Sequence, residues 1–168
     1  MRKMLRVVAV AFALCGGVAE SRAEAGVFAL TGDGVALTLD GKGFGTSLKL
    51  TGTGRELVAR RLAFAAFMDQ EKKNIVEPTA LRSAGPEAFV LSFPEPYGEV
   101  AFSVKPFAGG WIFEITSAAA KDFERFEFCR FQPTCTKWKG DFASAWSDED
   151  AAVCIRSCEL GGTTRGAA

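Results

Sequence analysis

The stretch "VALTLDGKGFGTSLKLTGTGREL" (residues 35–57) decides the fold class of this chain. Apolar residues alternate with small or polar ones on both sides of "DGKG", which is typical of half-buried β-strands. The glycines of "DGKG" and "TGTG" supply the backbone freedom that tight turns need. The stretch therefore predicts two strands joined by a hairpin and followed by a second tight turn.

The same pattern returns along the chain, between turns rich in Gly and Pro. The further strong strand predictions are "GVFAL" (26–30), "EAFVLSF" (87–93), "GEVAFSVKPF" (98–107) and "GGWIFEIT" (109–116). Short strands at this spacing predict an all-β fold, an antiparallel β-sandwich of about eight or more strands. The expected core is Leu37, Leu39, Leu48, Phe89, Phe102, Trp111, Phe113 and Phe128.

Residues 55–68 can be interpreted in two ways. Ala, Leu and Arg favour a helix, yet Leu62, Phe64, Ala66 and Met68 alternate as they would in a strand. Because a β-meander precedes this segment, we favour a strand over 59–68. Further along, "FERFEFCRF" (123–131) alternates, with one face that mixes charged and aromatic side chains.

Residues 148–158 are also ambiguous. Ser147 and Asp150 have the spacing of a capping box, which would begin a helix. Val153 and Ile155 suit a strand that follows the "SDED" turn. Because the preceding segments are predicted as strands, we favour a strand here too.

The first 23 residues have the three parts of a secretory signal peptide: a basic start, an apolar centre and a small-residue cleavage site ending at Ala23. The apolar run is shorter than the roughly 20 residues of a membrane-spanning helix. We therefore expect a secreted or periplasmic protein that is not held in a membrane after cleavage. The predicted organisation is a signal peptide (1–23), a β-sandwich domain (24–160) and a flexible tail (161–168).

The charge of the chain disfavours polyanionic partners. Lys and Arg number 20, as do Asp and Glu, and removal of residues 1–23 would take away four basic side chains and one acidic one. The mature chain would then be mildly acidic and would lack a basic cluster. We therefore expect no nucleic-acid partner and no attraction to anionic membranes.

Cysteine usage leaves three alternatives. Removal of the signal peptide would leave Cys129, Cys135, Cys154 and Cys158. An even number in an exported chain is compatible with two disulfides, and buried free thiols are the simpler alternative. A four-thiolate zinc site fits poorly, because the spacing departs from the paired C-x2-C of zinc ribbons. We expect disulfides or buried thiols and no metal.

No catalytic constellation is visible in the sequence. The chain has no His, which excludes Ser-His-Asp and Cys-His catalysis and His-ligated zinc. Asp148, Glu149 and Asp150 cluster in "WSDED", but neighbours in one turn cannot flank a glycosidic bond at the required separation. A solvated turn or a weak calcium loop are the alternatives for this cluster. We therefore expect a non-enzymatic protein with no catalytic residue and no cofactor.

Tryptophan offers another route to function, because an exposed indole can stack on the apolar face of a sugar ring. Trp138 lies between two lysines and Trp146 precedes "SDED", so these two are the candidate carbohydrate-binding residues. Half-buried packing is the alternative for both. Trp111 lies inside an apolar strand and is expected in the core.

Four segments carry a resemblance: "GVALTLDGKGFGTSLKLTGTGRELV" (34–58), "GGWIFEITS" (109–117), "FCRFQP" (128–133) and "ASAWSDEDAAVCIRS" (143–157). Together they resemble strands of the β-sandwich domains that precede or accompany catalytic domains in secreted carbohydrate-active enzymes. The resemblance implies a supersandwich, galactose-mutarotase-like fold whose catalytic residues lie in a following domain. No catalytic residue of that family matches a position here.

The resemblance implies a secreted, non-catalytic β-sandwich module associated with carbohydrate processing. Such a module would bind glycan, or would be a truncated accessory domain of a glycosidase-like protein and contact a carbohydrate-active partner protein. The alternative is an exported structural or protein-interaction domain with no small-molecule ligand.

Overall fold

The computed structural model describes residues 23–24, 27–32, 34–69, 74–107, 110–120, 123, 125–139, 144–148 and 151–155. These residues form β-strands and no helix, so the predicted all-β class is confirmed. In chain order the strands are β1 (Ala23–Glu24), β2 (Val27–Gly32), β3 (Val35–Leu39), β4 (Phe44–Leu50), β5 (Val58–Arg60), β6 (Leu62–Ala63), β7 (Ala65–Asp69), β8 (Asn74–Val76), β9 (Ala80–Gly85), β10 (Ala88–Ser92), β11 (Glu99–Phe107), β12 (Gly110–Ala118), β13 (Arg125–Phe128), β14 (Gln132–Pro133), β15 (Lys137–Lys139), β16 (Ser144–Ser147) and β17 (Ala152–Ile155). The predicted signal peptide up to residue 22 and the predicted tail lie outside the described residues.

The strands pair antiparallel in five sheets. The first sheet has the order β1-β2-β3-β4-β6, and the second has the order β12-β11-β10-β9. A third sheet is β13-β7-β8, a two-stranded sheet is β14-β5, and the C-terminal sheet is β15-β16-β17. The turn "DGKG" joins β3 to β4, and "TGTG" follows β4, as the opening stretch predicted.

The first and second sheets face each other as a sandwich. The ring centroids of Phe28 and Phe89, one from each sheet, are 4.7 Å apart. The indole of Trp111 lies against Gly32, where a Cβ atom would come within 3.2 Å of it. Gly43, with φ +81°, sits so close to Leu91 that a Cβ atom would be 2.4 Å from its Cδ2. The turn between β3 and β4 therefore needs glycine both for its conformation and for space.

Aromatic rings fill the centre of the sandwich. Phe64 is fully buried, and its ring packs on five others, with centroids 5.1–6.5 Å away: Phe89, Phe102, Phe113, Phe128 and Phe131. Seven of the eight predicted core residues are buried, and Phe128 is partly buried against the same cluster. The predicted core is thus confirmed.

The strand favoured over 59–68 is confirmed, although it is divided into β5, β6 and β7. The break between β6 and β7 falls at Phe64, whose amide donates to the Gly43 carbonyl (2.9 Å) while its own carbonyl accepts from the Arg130 amide (3.1 Å). Here the chain leaves the first sheet and enters the third. Residues 63–67 are all buried, because this crossing segment is covered on both faces.

The alternating pattern over 123–131 is interrupted at Cys129. β13 ends at Phe128, and Cys129 adopts φ +55°, the left-handed region that non-glycine residues rarely enter. After this break, β14 pairs with β5 rather than β7. Residues 58–69 cross from one sheet to another. The segment that pairs with them, residues 125–133, must therefore interrupt its own alternation at the crossing.

The strand favoured for the second ambiguous segment is also confirmed in its described part. β16 and β17 pair antiparallel around Asp148. No helix forms in the described part of this segment, so the capping-box alternative is wrong there.

Candidate functional site

The two charged residues of "TGREL" have distinct structural roles. The Glu56 carboxylate accepts hydrogen bonds from the Ser47 hydroxyl (2.6 Å) and from the amides of Leu48 (2.8 Å) and Val58 (3.0 Å). Burial alone would raise the pKa of Glu56, but these hydrogen bonds outweigh it and hold the pKa below its usual value. The ionised Glu56 thus links β4 to the start of β5 through these hydrogen bonds.

Arg55 connects this hairpin to the C-terminal sheet. Its Nη1 donates to Asp148 Oδ1 (3.0 Å), and its Nη2 pairs with Asp148 Oδ2, across 93 positions of sequence. Asp148 Oδ1 also accepts from the Ala151 amide (3.0 Å), and the Asp148 amide donates to the Ala151 carbonyl (2.9 Å). The first carboxylate of "WSDED" therefore organises the turn between β16 and β17. Glu149 and Asp150 lie outside the described residues.

Cys129 and Cys135 are free thiols, and both are buried. Burial raises the pKa of Cys129 well above its usual value. Burial, together with the nearby Asp148 carboxylate, raises the pKa of Cys135. Both thiols are therefore kept protonated and poorly nucleophilic. The Cys154 side chain and all of Cys158 lie outside what the structure describes.

Two further findings concern the described residues alone. Their Cys, Asp and Glu side chains form no group of three that could hold a metal ion. Their secondary structure includes no helix long and apolar enough to cross a membrane.

The two predicted carbohydrate-binding tryptophans are brought together by the C-terminal sheet. Trp138 of β15 is directly opposite Trp146 of β16, which in turn is opposite Val153 of β17. We call these three positions the tryptophan row. Val153 is only 2% exposed, so the tryptophan row includes one core residue.

A second aromatic site includes the loop between β10 and β11. Phe67 of β7 is buried, and the rings of Tyr97 (4.7 Å, nearly parallel) and Phe123 (5.0 Å, edge to face) pack against it. Tyr97 is half-buried and Phe123 is 38% exposed. We call Tyr97 and Phe123 the aromatic patch.

Sequence reasoning did not single out the aromatic patch. Its members are separated along the chain, and what they share is packing against Phe67. The available signal was the "FPEPYG" turn, since a tyrosine in a proline-rich loop is rarely fully covered.

No protein-family model, curated protein or solved structure matches this chain. The fold, the strand register and the contacts described above are therefore the grounds for proposing a function.

Proposed function

We propose that this protein is an exported, non-catalytic β-sandwich module associated with carbohydrate processing, which binds glycan or a carbohydrate-active partner protein. The observation that carries the proposal is the position of the four segments that resemble such modules. Residues 34–58 span β3, β4 and the start of β5, while "GGWIFEITS" contains most of β12 on the facing sheet. The other two segments contain β14 and the β16–β17 hairpin. Each of the four segments thus contains at least one strand of the described structure, and this supports the proposal.

A glycan array tests this proposal. Circular dichroism first establishes that the protein is folded as β-structure, and the array is then screened with the wild-type protein. Selective binding to one glycan class supports a carbohydrate-binding module. A folded protein that binds nothing on a broad array, and that recovers no carbohydrate-active protein from its source, would contradict the proposal.

The predicted site at Trp138 and Trp146 is tested on the same array. The W138A and W146A variants are compared with I75A, which truncates a side chain that is 54% exposed in β8. If the tryptophan row stacks on sugar, both tryptophan variants lose affinity while I75A retains it. Unchanged affinity in both variants would remove the tryptophan row from the proposal and leave the module itself in place.

A second candidate function is a structural or protein-interaction domain without a small-molecule ligand. It is favoured by β12, a nine-residue edge strand that pairs only with β11 among the described residues. Such an edge can accept an extended segment of another protein through main-chain hydrogen bonds. Replacing the half-buried Ile112 with Lys would place a charge on this edge strand and disfavour its pairing with another strand, so loss of a captured partner without loss of fold would support this function.

A further inference from the structure

We propose that the aromatic patch binds a neutral oligosaccharide, with Tyr97 and Phe123 as the surface on which sugar rings stack. This inference rests on the proposed function, because it assigns the glycan expected for the module to a particular surface. It places binding on the main sandwich rather than at the tryptophan row.

The first argument is that Tyr97 is fixed in place before a ligand arrives. Its ring stacks on Phe67, which is only 1% exposed. The surrounding loop is closed by two hydrogen bonds, from the Phe93 amide to the Gly98 carbonyl (2.8 Å) and from the Tyr97 amide to the Pro94 carbonyl (3.0 Å). Rings that are already ordered add little ordering cost to binding.

The position of Gly98 strengthens this point. With φ +68°, it takes a conformation that favours glycine, and a Cβ atom there would lie 2.9 Å from the Cβ of Ala119. The Ala119 amide also donates to the Glu99 carbonyl (2.8 Å). The loop that carries Tyr97 is thus held against the segment that leads to Phe123.

The second argument is chemical complementarity. The C–H groups of a pyranose carry slight positive charge and pack on the electron-rich face of an aromatic ring. The Tyr97 hydroxyl can donate one hydrogen bond and accept two, and no described residue uses it. Glu95, two positions earlier in the loop, is exposed and can accept hydrogen bonds from sugar hydroxyls. The site therefore offers both a stacking surface and polar partners.

The third argument is size. A fully covered aromatic side chain buries about 150–250 Å², so two such rings fall short of the roughly 800 Å² that each partner buries in a stable protein interface. One or two sugar rings match a surface of this extent. A small ligand is therefore favoured over a protein partner.

Tyr97 is the only tyrosine in the chain, which gives a direct test. Protein labelled with 3-fluorotyrosine should show one ¹⁹F resonance, and we would titrate it with cello-, xylo-, manno- and galacto-oligosaccharides. We expect at least one of these probes to shift the resonance saturably. F123A should weaken that titration about tenfold, whereas W138A, W146A and the matched exposed control I75A should change it less than twofold.

Calorimetry on the same samples separates two kinds of failure. If a probe binds by calorimetry but does not shift the ¹⁹F resonance, glycan binding at the aromatic patch is overturned. The same holds if the titration is unchanged in folded F123A. In both cases the glycan-binding module is retained. Folded protein that shows neither a shift nor heat with any probe overturns both. A calorimetric comparison of Y97F with wild type then isolates the contribution of the Tyr97 hydroxyl. We expect the Y97F substitution to weaken binding several-fold.

Discussion

The main sandwich and the C-terminal sheet are held in place by different forces. In the sandwich, Phe64, Phe89 and Phe102 are at most 1% exposed, and each packs on several other rings. The described anchors of the C-terminal sheet are Val153 in the core and the partly exposed pair of Arg55 and Asp148. The sandwich is therefore the more stable base for a binding surface, while the described anchors of the C-terminal sheet include an ion pair that substitution of either charge can break.

The largest effect should come from truncating the centre of the sandwich. Phe64→Ala removes a ring with no exposed surface and five aromatic neighbours, so we expect a loss of about 3–5 kcal/mol in the free energy of unfolding. Urea unfolding followed by circular dichroism measures it. Ile75→Ala, on the exposed surface of β8, is the control and should cost less than about 1 kcal/mol. Equal losses in the two variants would contradict a stability centred on Phe64.

Removing the ion pair between Arg55 and Asp148 should have an intermediate and local effect on stability. Arg55→Ala leaves Asp148 without its bidentate partner. This should lower the free energy of opening the C-terminal sheet by about 1–3 kcal/mol. We expect faster amide exchange in β16 and β17 and faster reaction of the Cys135 thiol with a thiol reagent. Exchange in β3, β10 and β11 should remain unchanged.

Arg82→Ala is the matched control for that experiment. Arg82 pairs with Glu99, but both side chains are more than half exposed, so its loss should change stability by less than about 1 kcal/mol. If Arg55→Ala behaves like Arg82→Ala, the C-terminal sheet does not depend on the Arg55 pair.

The pH dependence of the folding stability should be a smaller effect than these substitutions, and it should arise from Glu56 and Asp40 in the first sheet and its turns. The folded pKa of Glu56 is lowered, so its contribution is present above the unfolded pKa of about 4.3 and is lost as the pH falls through the folded pKa. Asp40 behaves in the same way: burial opposes its ionisation, but hydrogen bonds from Phe44, Arg61 and Lys42 lower its pKa. Glu56→Gln should therefore be less stable at pH 7 and should lose less stability than wild type when the pH falls below 4. A parallel loss in both proteins would show that Glu56 is not held as a carboxylate.

The sequence predicted those features that depend on local alternation. The alternation of Val35, Leu37 and Leu39 indicates one buried face of a strand. Such alternation is sufficient to predict the hairpins and the core. Alternation fails at Phe64, where the chain crosses between sheets and residues 63–67 are all buried, and at Cys129, where the backbone takes a positive φ.

The candidate sites were less predictable, because they depend on contacts between distant segments. Arg55 and Asp148 are 93 positions apart, and nothing near either residue indicates its partner. Tyr97 and Phe123 both pack on Phe67, although the three residues are far apart in sequence. Trp138 and Trp146 were chosen for their residue type, and the facing pair that they form follows from the register of β15 and β16.

The most direct test of a glycan-binding sandwich compares two double variants on the same ligand. Using the best glycan from the array, calorimetry gives the dissociation constants of wild type, W138A/W146A and Y97A/F123A, each shown to be folded. We predict that Y97A/F123A weakens binding at least about tenfold, equivalent to about 1.4 kcal/mol, and that W138A/W146A stays within twofold of wild type. Loss of binding in W138A/W146A with wild-type affinity in Y97A/F123A would contradict this account and return the site to the C-terminal sheet.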